Sequence, residues 1–173
     1  MPTRQLALEL LSETRCSRRV IAHCKTVAAL ALRIAAACQA KGMQVDLQLV
    51  EAGALLHDIG RSETHNVEHG IVGAEIARKL KLPESIVAII ERHVGGGIDV
   101  DEAKQLGWPP NRYLPQTLEE RIVCYADKLI EGNRRVPIKR TIEKLSKELG
   151  RDHRSLGRIE QLHEEFSPLL GEI

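Results

Sequence analysis

Apolar residues recur every three or four positions along nearly the whole chain, a spacing that gathers them on one face of an α-helix. The pattern predicts a short first helix over 4–13. Ser17 can cap a long second helix that runs to Lys41, with Gly42 as its stop. Asp46 can cap a third, DLQLVEAGALLH, which ends near Asp58. The polar segment RSETHNVE predicts a loop. Helical spacing resumes from about Glu68 to Leu80. Pro83 then begins PESIVAIIERH, which the three glycines Gly95 to Gly97 end. Residues 98–116, with GWPPNRYLP, predict irregular chain and one turn around Asp101–Gln105. Thr117 can cap LEERIVCYADKLIEG, and two more helices follow Pro137, at about 138–149 and 153–166. No strand-like alternation exceeds four residues and no internal repeat occurs, so the expected fold class is all-α, a helical bundle.

Composition narrows the function classes. A chain of 173 residues can bury a real core within one domain. A formal net charge of +1 offers no field for a polyanion, and 2% aromatic residues leave little surface for stacking on bases. Nucleic acid is therefore not the expected partner. The four cysteines, Cys16, Cys24, Cys38 and Cys124, form no CxxC pair and read as reduced, buried thiols of a cytoplasmic protein. The start MPTRQLALELL is too short and polar for a signal peptide. No apolar run reaches the roughly 18 residues of a membrane span. The longest, 27–38, is interrupted by Arg33, so no membrane partner is expected.

Histidine and aspartate, sorted by helix, change the picture. His23 lies within the second helix, with Val20, Val27 and Leu30 along its face. His57 and Asp58 end the third, His69 opens the fourth, and His93 ends the fifth beside Ile86, Ile89 and Ile90. Asp127 has Val123 and Ile130 three or four residues away. These separations are too long for a local zinc finger. They suit a bundle in which each helix contributes one inward ligand. A carboxylate on an apolar face is costly unless it is paired, hydrogen-bonded or bound to metal. Each residue alone also has a plainer reading: a cationic histidine at a helix C-terminus, or an aspartate bonded across a helix contact.

The ordered set H…HD…H…H…D, with HDIG at 57–60 and ADKL at 126–129, resembles the HD-domain superfamily of metal-dependent phosphohydrolases. The resemblance covers roughly residues 17–131. Within it the chain is most similar to small stand-alone archaeal-type HD proteins and to bacterial diadenosine-tetraphosphate hydrolases, which carry a segment like EHGIVGAEIA and a histidine like His93. It implies a single HD domain over 1–173, with a C-terminal helical extension at about 137–170 that is either appended or part of the same core. His23, His57, Asp58 and Asp127 would hold a first metal. His69 and His93 would hold a second, with Asp58 bridging.

The implied reaction is hydrolysis of a phosphate ester or anhydride, of a nucleotide by the same resemblance, with a hydroxide on the metals attacking phosphorus. Asp58, His69 and His93 are the expected catalytic residues; with a lone metal, the two histidines would contact substrate or move protons. The N/O donor set suits one or two divalent transition ions, iron, manganese, zinc, nickel or cobalt, without singling one out. The GYP signature of HD-type cyclic-di-GMP phosphodiesterases is not found. Two other readings stand beside this one: a di-iron HD-type oxygenase, and a non-catalytic interaction module stabilised by metal.

Three further residues are read as substrate contacts, each with a plainer alternative. Arg61 can reach a phosphate or serve as a solvated loop charge. Lys128 can lean toward the metals or pair on the surface. Gly95 can admit substrate to the backbone or merely stop a helix. Gly70 and Gly73 are expected to permit close helix packing. Trp108 to Pro115 forms either a lid or a cover on the core edge. His65 reads as a solvent residue or a substrate contact, His153 and His163 as surface positions, and Arg134, Arg135, Lys139 and Arg140 as a solvated basic face or a steering patch. A homodimer through the C-terminal helices is compatible with all of this.

Overall fold

A computed structural model describes residues 1–171. Among these, nine α-helices and one two-stranded hairpin occur: α1 Arg4–Glu13, α2 Arg18–Ala40, α3 Leu47–Leu56, α4 His69–Lys79, α5 Glu84–Arg92, α6 Val100–Gln105, α7 Leu118–Lys128, β1 Ile130–Glu131, β2 Arg134–Arg135, α8 Ile138–Leu149 and α9 Arg154–Leu170. The all-α class is as the periodicity predicts. Helix starts follow the capping residues: the side chains of Ser17, Asp46 and Thr117 accept from Val20, from Gln48 and Leu49, and from Glu120 backbone N–H groups. Each supplies a partner for an amide that the helix itself leaves open.

α2 is the axis of the bundle and packs against α3, α7 and α9. Its buried face alternates bulk and small residues, with Val27, Leu30 and Ile34 among Ala28, Ala31 and Ala35. The alanines let neighbouring helices come close. Fully buried isoleucines and leucines such as Ile34, Leu55 and Ile90 each contribute about 2 kcal/mol relative to exposure. The membrane expectation needs one correction. α2 extends past residues 27–38 at both ends, and by length and composition alone it is long and apolar enough to cross a bilayer. Nine of its residues are instead buried in the bundle.

Two element boundaries also differ from expectation. The segment after His57 and Asp58 is not all loop: Ile59–Ser62 form a 3₁₀ turn. α7 ends at Lys128 rather than near 132, because the chain reverses through Gly132–Asn133 and pairs Ile130 with Arg135 and Glu131 with Arg134. Gly132 has φ +62°, a left-handed conformation that favours glycine.

Residues 98–116 pack over the core edge. Ile98 and Tyr113 exchange backbone hydrogen bonds of 2.9 Å, and Trp108 meets Tyr113 edge-on at 5.3 Å. Ile98, Ala103, Trp108 and Tyr113 form a second cluster against Val67, Ile71 and Val94, which braces the start of α4. At the C-terminus, Leu162 and Phe166 of α9 belong to the main core, whereas α8 has no buried residue. The surface reading of two histidines is corrected here. His153 caps α9 through Ser155 N–H, and His163 is half-buried with Nδ1 2.8 Å from the Tyr125 hydroxyl.

One contact sets the spacing between the 3₁₀ turn and α4. A Cβ on Gly60 would lie 2.0 Å from the His69 carbonyl oxygen and 2.6 Å from Gly73 N, both backbone atoms that cannot rotate away. Gly60→Ala is expected to destabilise the fold by about 3 kcal/mol or more, measured by chemical denaturation. A loss below about 0.5 kcal/mol would mean that α4 does not seat there.

Candidate metal centre

Local chain geometry presents each ligand. His57 and His93 occupy the C-terminal caps of α3 and α5, where the last carbonyls have no intrahelical partner. Their Nδ1–H groups donate to those carbonyls, to Ala54 O at 2.7 Å and Ile90 O at 2.6 Å. His69, the first residue of α4, donates from Nδ1 to Asn66 O at 2.6 Å. His23 lies inside α2, where the carbonyls are already engaged in the helix. Its Nδ1–H reaches across the fold to Gly132 O at 2.7 Å. All four imidazoles thus turn Nε2 toward one centre, in the tautomer that metal-binding histidines adopt when a carbonyl holds the other nitrogen.

Two carboxylates meet these nitrogens. Asp58 Oδ1 lies 3.2 Å from His69 Nε2 and 3.5 Å from His93 Nε2. Asp58 Oδ2 lies 3.8 Å from His23 Nε2 and 3.7 Å from His57 Nε2. Asp127 Oδ1 lies 3.0 Å from His23 Nε2 and 3.5 Å from His57 Nε2. His69 and His93 bring their Nε2 atoms within 3.1 Å of each other. Ligand atoms of His23, His57 and Asp58, of His57, His93 and Asp127, and of Asp58, His69 and His93 fall within 4.8 Å of one another in each group, so the groups overlap through His57, Asp58 and His93. The structure therefore brings the six expected ligands together, with the two oxygens of Asp58 turned to different halves of the set.

The site is buried: His57 is 0%, Asp58 4%, His69 5% and His93 2% exposed. His57 Nε2 and Asp58 Oδ1 have no hydrogen-bond partner. Orphaned atoms of this kind cost about 1–3 kcal/mol each unless something fills the gap between them. A divalent cation fits that requirement, since every orphan offers a lone pair and the donors are imidazole nitrogen and carboxylate oxygen.

The electrostatics agree. Burial opposes ionisation of Asp58, but His57, His69 and His93 around it hold its carboxyl well below the usual range. Burial likewise opposes Asp127, and the Lys128 ammonium with His23 and His57 outweighs it. Both carboxylates are ionised at neutral pH. Burial, reinforced by the neighbouring His57 and His69, pushes His93 down to about 4, so it is neutral and needs no deprotonation to accept an ion. His23 goes the other way: burial lowers it, and the hydrogen bond to Asp127 lifts it above its ordinary value. Its Nδ1–H already donates to Gly132, so its Nε2 donates to Asp127 only as an imidazolium. An ion held there would have to take the place of that proton.

The three expected substrate contacts fall differently. Arg61 Nε donates to Asp58 Oδ2 at 2.7 Å and Nη1 to His65 O at 3.1 Å, so it clamps the ligand. Lys128 is no surface pair: its ammonium donates to Asp127 Oδ2, and its side chain is 11% exposed. Gly95 is taken up by packing. It has φ +61°, and a Cβ on it would lie 2.5 Å from Ser155 Oγ, while Gly96 N–H donates to the same hydroxyl. The glycine triplet is a seat for α9. The His65 side chain is exposed. Gly132, whose carbonyl orients His23, escaped the sequence reading. The signal was the two-residue Gly–Asn turn after Glu131, a hairpin signature.

A family model described as HD domain matches residues 20–132. The chain is 51% identical over 164 residues to an uncharacterized protein of Methanocaldococcus jannaschii, covering 95% of this chain and 96% of that one. It is 39% identical over 172 residues to a tRNA (cytidine(56)-2'-O)-methyltransferase of Thermoplasma volcanium. That match covers 99% of this chain and 49% of the methyltransferase, so the chain spans about half the length of that relative. Its fold is similar to the HD domain of the L. monocytogenes phosphodiesterase PgpH in complex with cyclic-di-AMP, with a TM-score of 0.54. That match has 18% identity and covers 96% of this chain and 98% of the other, a likeness of fold alone.

Proposed function

The chain belongs to the HD domain family, and from that premise we propose that it is a divalent-metal phosphohydrolase acting on a phosphate ester or anhydride of a nucleotide. One observation carries the reading: four imidazoles with Nδ1 engaged by carbonyls aim Nε2 at two ionised carboxylates, around buried atoms that lack partners. His23, His57, Asp58 and Asp127 would hold one ion; Asp58, His69 and His93 would hold a second. Bound divalent ions supply an activated water and neutralise charge on the phosphate.

The chain's own groups prepare for that chemistry. The carbonyl bonds hold the ring planes, so no reorientation is needed when an ion arrives. Arg61 fixes Asp58 through Oδ2, and its side chain, 29% exposed, keeps room for a phosphate contact. Lys128 balances Asp127. Ile59, Ile90 and Val123, each within four residues of a candidate ligand along the chain, are fully buried, and an apolar surround strengthens the field on a reacting group. Asp58, His69 and His93 remain the proposed catalytic set. The nucleotide is supported by the L. monocytogenes domain, which is in complex with cyclic-di-AMP. A cytoplasmic location is supported by four free, buried thiols.

The test is a phosphate-release screen over nucleotides with metal analysis of anaerobically purified protein. Chelation is expected to abolish release, and iron, manganese, zinc, nickel or cobalt to restore it. Release that is indifferent to chelation would remove the reading.

A further inference from the structure

A groove of about 410 Å³ opens beside His23, lined by Arg19 and Ala22 of α2 and by Glu131, Gly132, Asn133 and Arg134 of the hairpin. It borders one candidate ligand, His23, through two of its lining residues. Ala22 precedes His23 in the chain, and Gly132 accepts the His23 Nδ1–H. Its charge is one-sided. The Glu131 carboxylate is held by Arg140 at 2.7 Å and Lys144 at 3.8 Å. Among the described residues, Arg19 and Arg134 enter no ion pair, and both are exposed. No aromatic side chain lines the groove, so nothing in it stacks on a base. A guanidinium binds phosphate in paired, charge-assisted hydrogen bonds, and this groove has two that enter no ion pair.

We propose that this groove binds a second phosphate of the substrate, so that the protein prefers substrates with two linked phosphates to those with one. The proposal rests on the phosphohydrolase reading and adds its specificity. The hairpin then has two jobs: Gly132 orients a ligand, and Arg134, two residues on, recognises the phosphate next to the scissile one. Arg19 faces it from one turn before His23 on α2. The linked phosphates come from an anhydride or from a phosphodiester chain, and both present the same group to the arginines.

The experiment uses the full-length, metal-loaded protein and reads binding by titration calorimetry. The probes are inorganic phosphate, inorganic pyrophosphate and a 5'-phosphorylated dinucleotide. The double variant Arg19→Gln, Arg134→Gln is expected to weaken a two-phosphate probe by roughly tenfold per arginine, and inorganic phosphate by less. Weakening of pyrophosphate alone identifies an anhydride source, and of the dinucleotide alone a diester source; either supports the groove. Arg33→Gln removes the same charge about 21 Å along α2 and serves as the control. Unchanged binding of both two-phosphate probes overturns the proposal, as does equal weakening by the control. Failure of the phosphohydrolase reading is separately visible, because it appears in the wild-type release screen, as no phosphate from any nucleotide or as release indifferent to chelation.

Discussion

Asp58→Ala is expected to lower phosphate release by at least about 10³-fold, equivalent to about 4 kcal/mol of transition-state stabilisation. The size follows from the position of one carboxylate. Its Oδ1 faces His69 and His93, and its Oδ2 faces His23, His57 and Arg61. Alanine removes both oxygens, so both halves of the ligand set lose an anionic donor in a single change. Metal content is expected to fall with activity. The fold is expected to survive, because the methylene remains and the freed Arg61 is 29% exposed to water. Circular dichroism checks the fold, and metal analysis with phosphate release checks the site. A folded variant that releases phosphate like the wild type would remove Asp58 from the chemistry, and with it the assignment of the site.

His69→Ala and His93→Ala are each expected to remove one ion and spare the other. Of the four histidines, His69 and His93 have Asp58 Oδ1 as their nearest Asp58 oxygen, and their Nε2 atoms are 3.1 Å apart. Loss of either leaves that half with two donors, and its affinity should drop by about 100-fold or more, beyond the loss seen when an outer-shell partner is removed. The other half keeps His23, His57, Asp58 and Asp127. Metal content should therefore fall from two ions to one per chain, with loss of most activity. An unchanged content would speak for a lone ion on the first four ligands. Loss of both would mean that the halves are not separable.

How much of this was legible in the sequence follows from the range of the forces. Helix starts were readable at Ser17, Asp46 and Thr117 because a capping side chain acts on an amide two or three residues away. The same local logic placed His57 and His93 at helix ends. The HDIG resemblance then ordered six candidate ligands that no single motif identified. What escaped was contact between distant segments. Gly95 reads alike whether it meets a substrate or Ser155, and only the docking of α9 decides between them. Lys128 can turn out to solvent or in to Asp127, and the packing of the hairpin and α8 around the end of α7 settles it. His163 looks like surface until Tyr125 is beside it.

The sequence by itself determined the helical class, the helix limits within a few residues, and which donor side chains are candidates to hold a metal. Periodicity and caps are written over spans of four or five residues, and the candidate donors came from the ordered resemblance over residues 17–131. Only the tertiary structure decided that His23 meets Asp127 across 104 residues and Gly132 across 109, and that the two oxygens of Asp58 face different pairs of histidines. Those distances arise from burying the apolar faces of α2, α3, α5 and α7 against one another. That force is non-directional, and its outcome depends on the whole core at once.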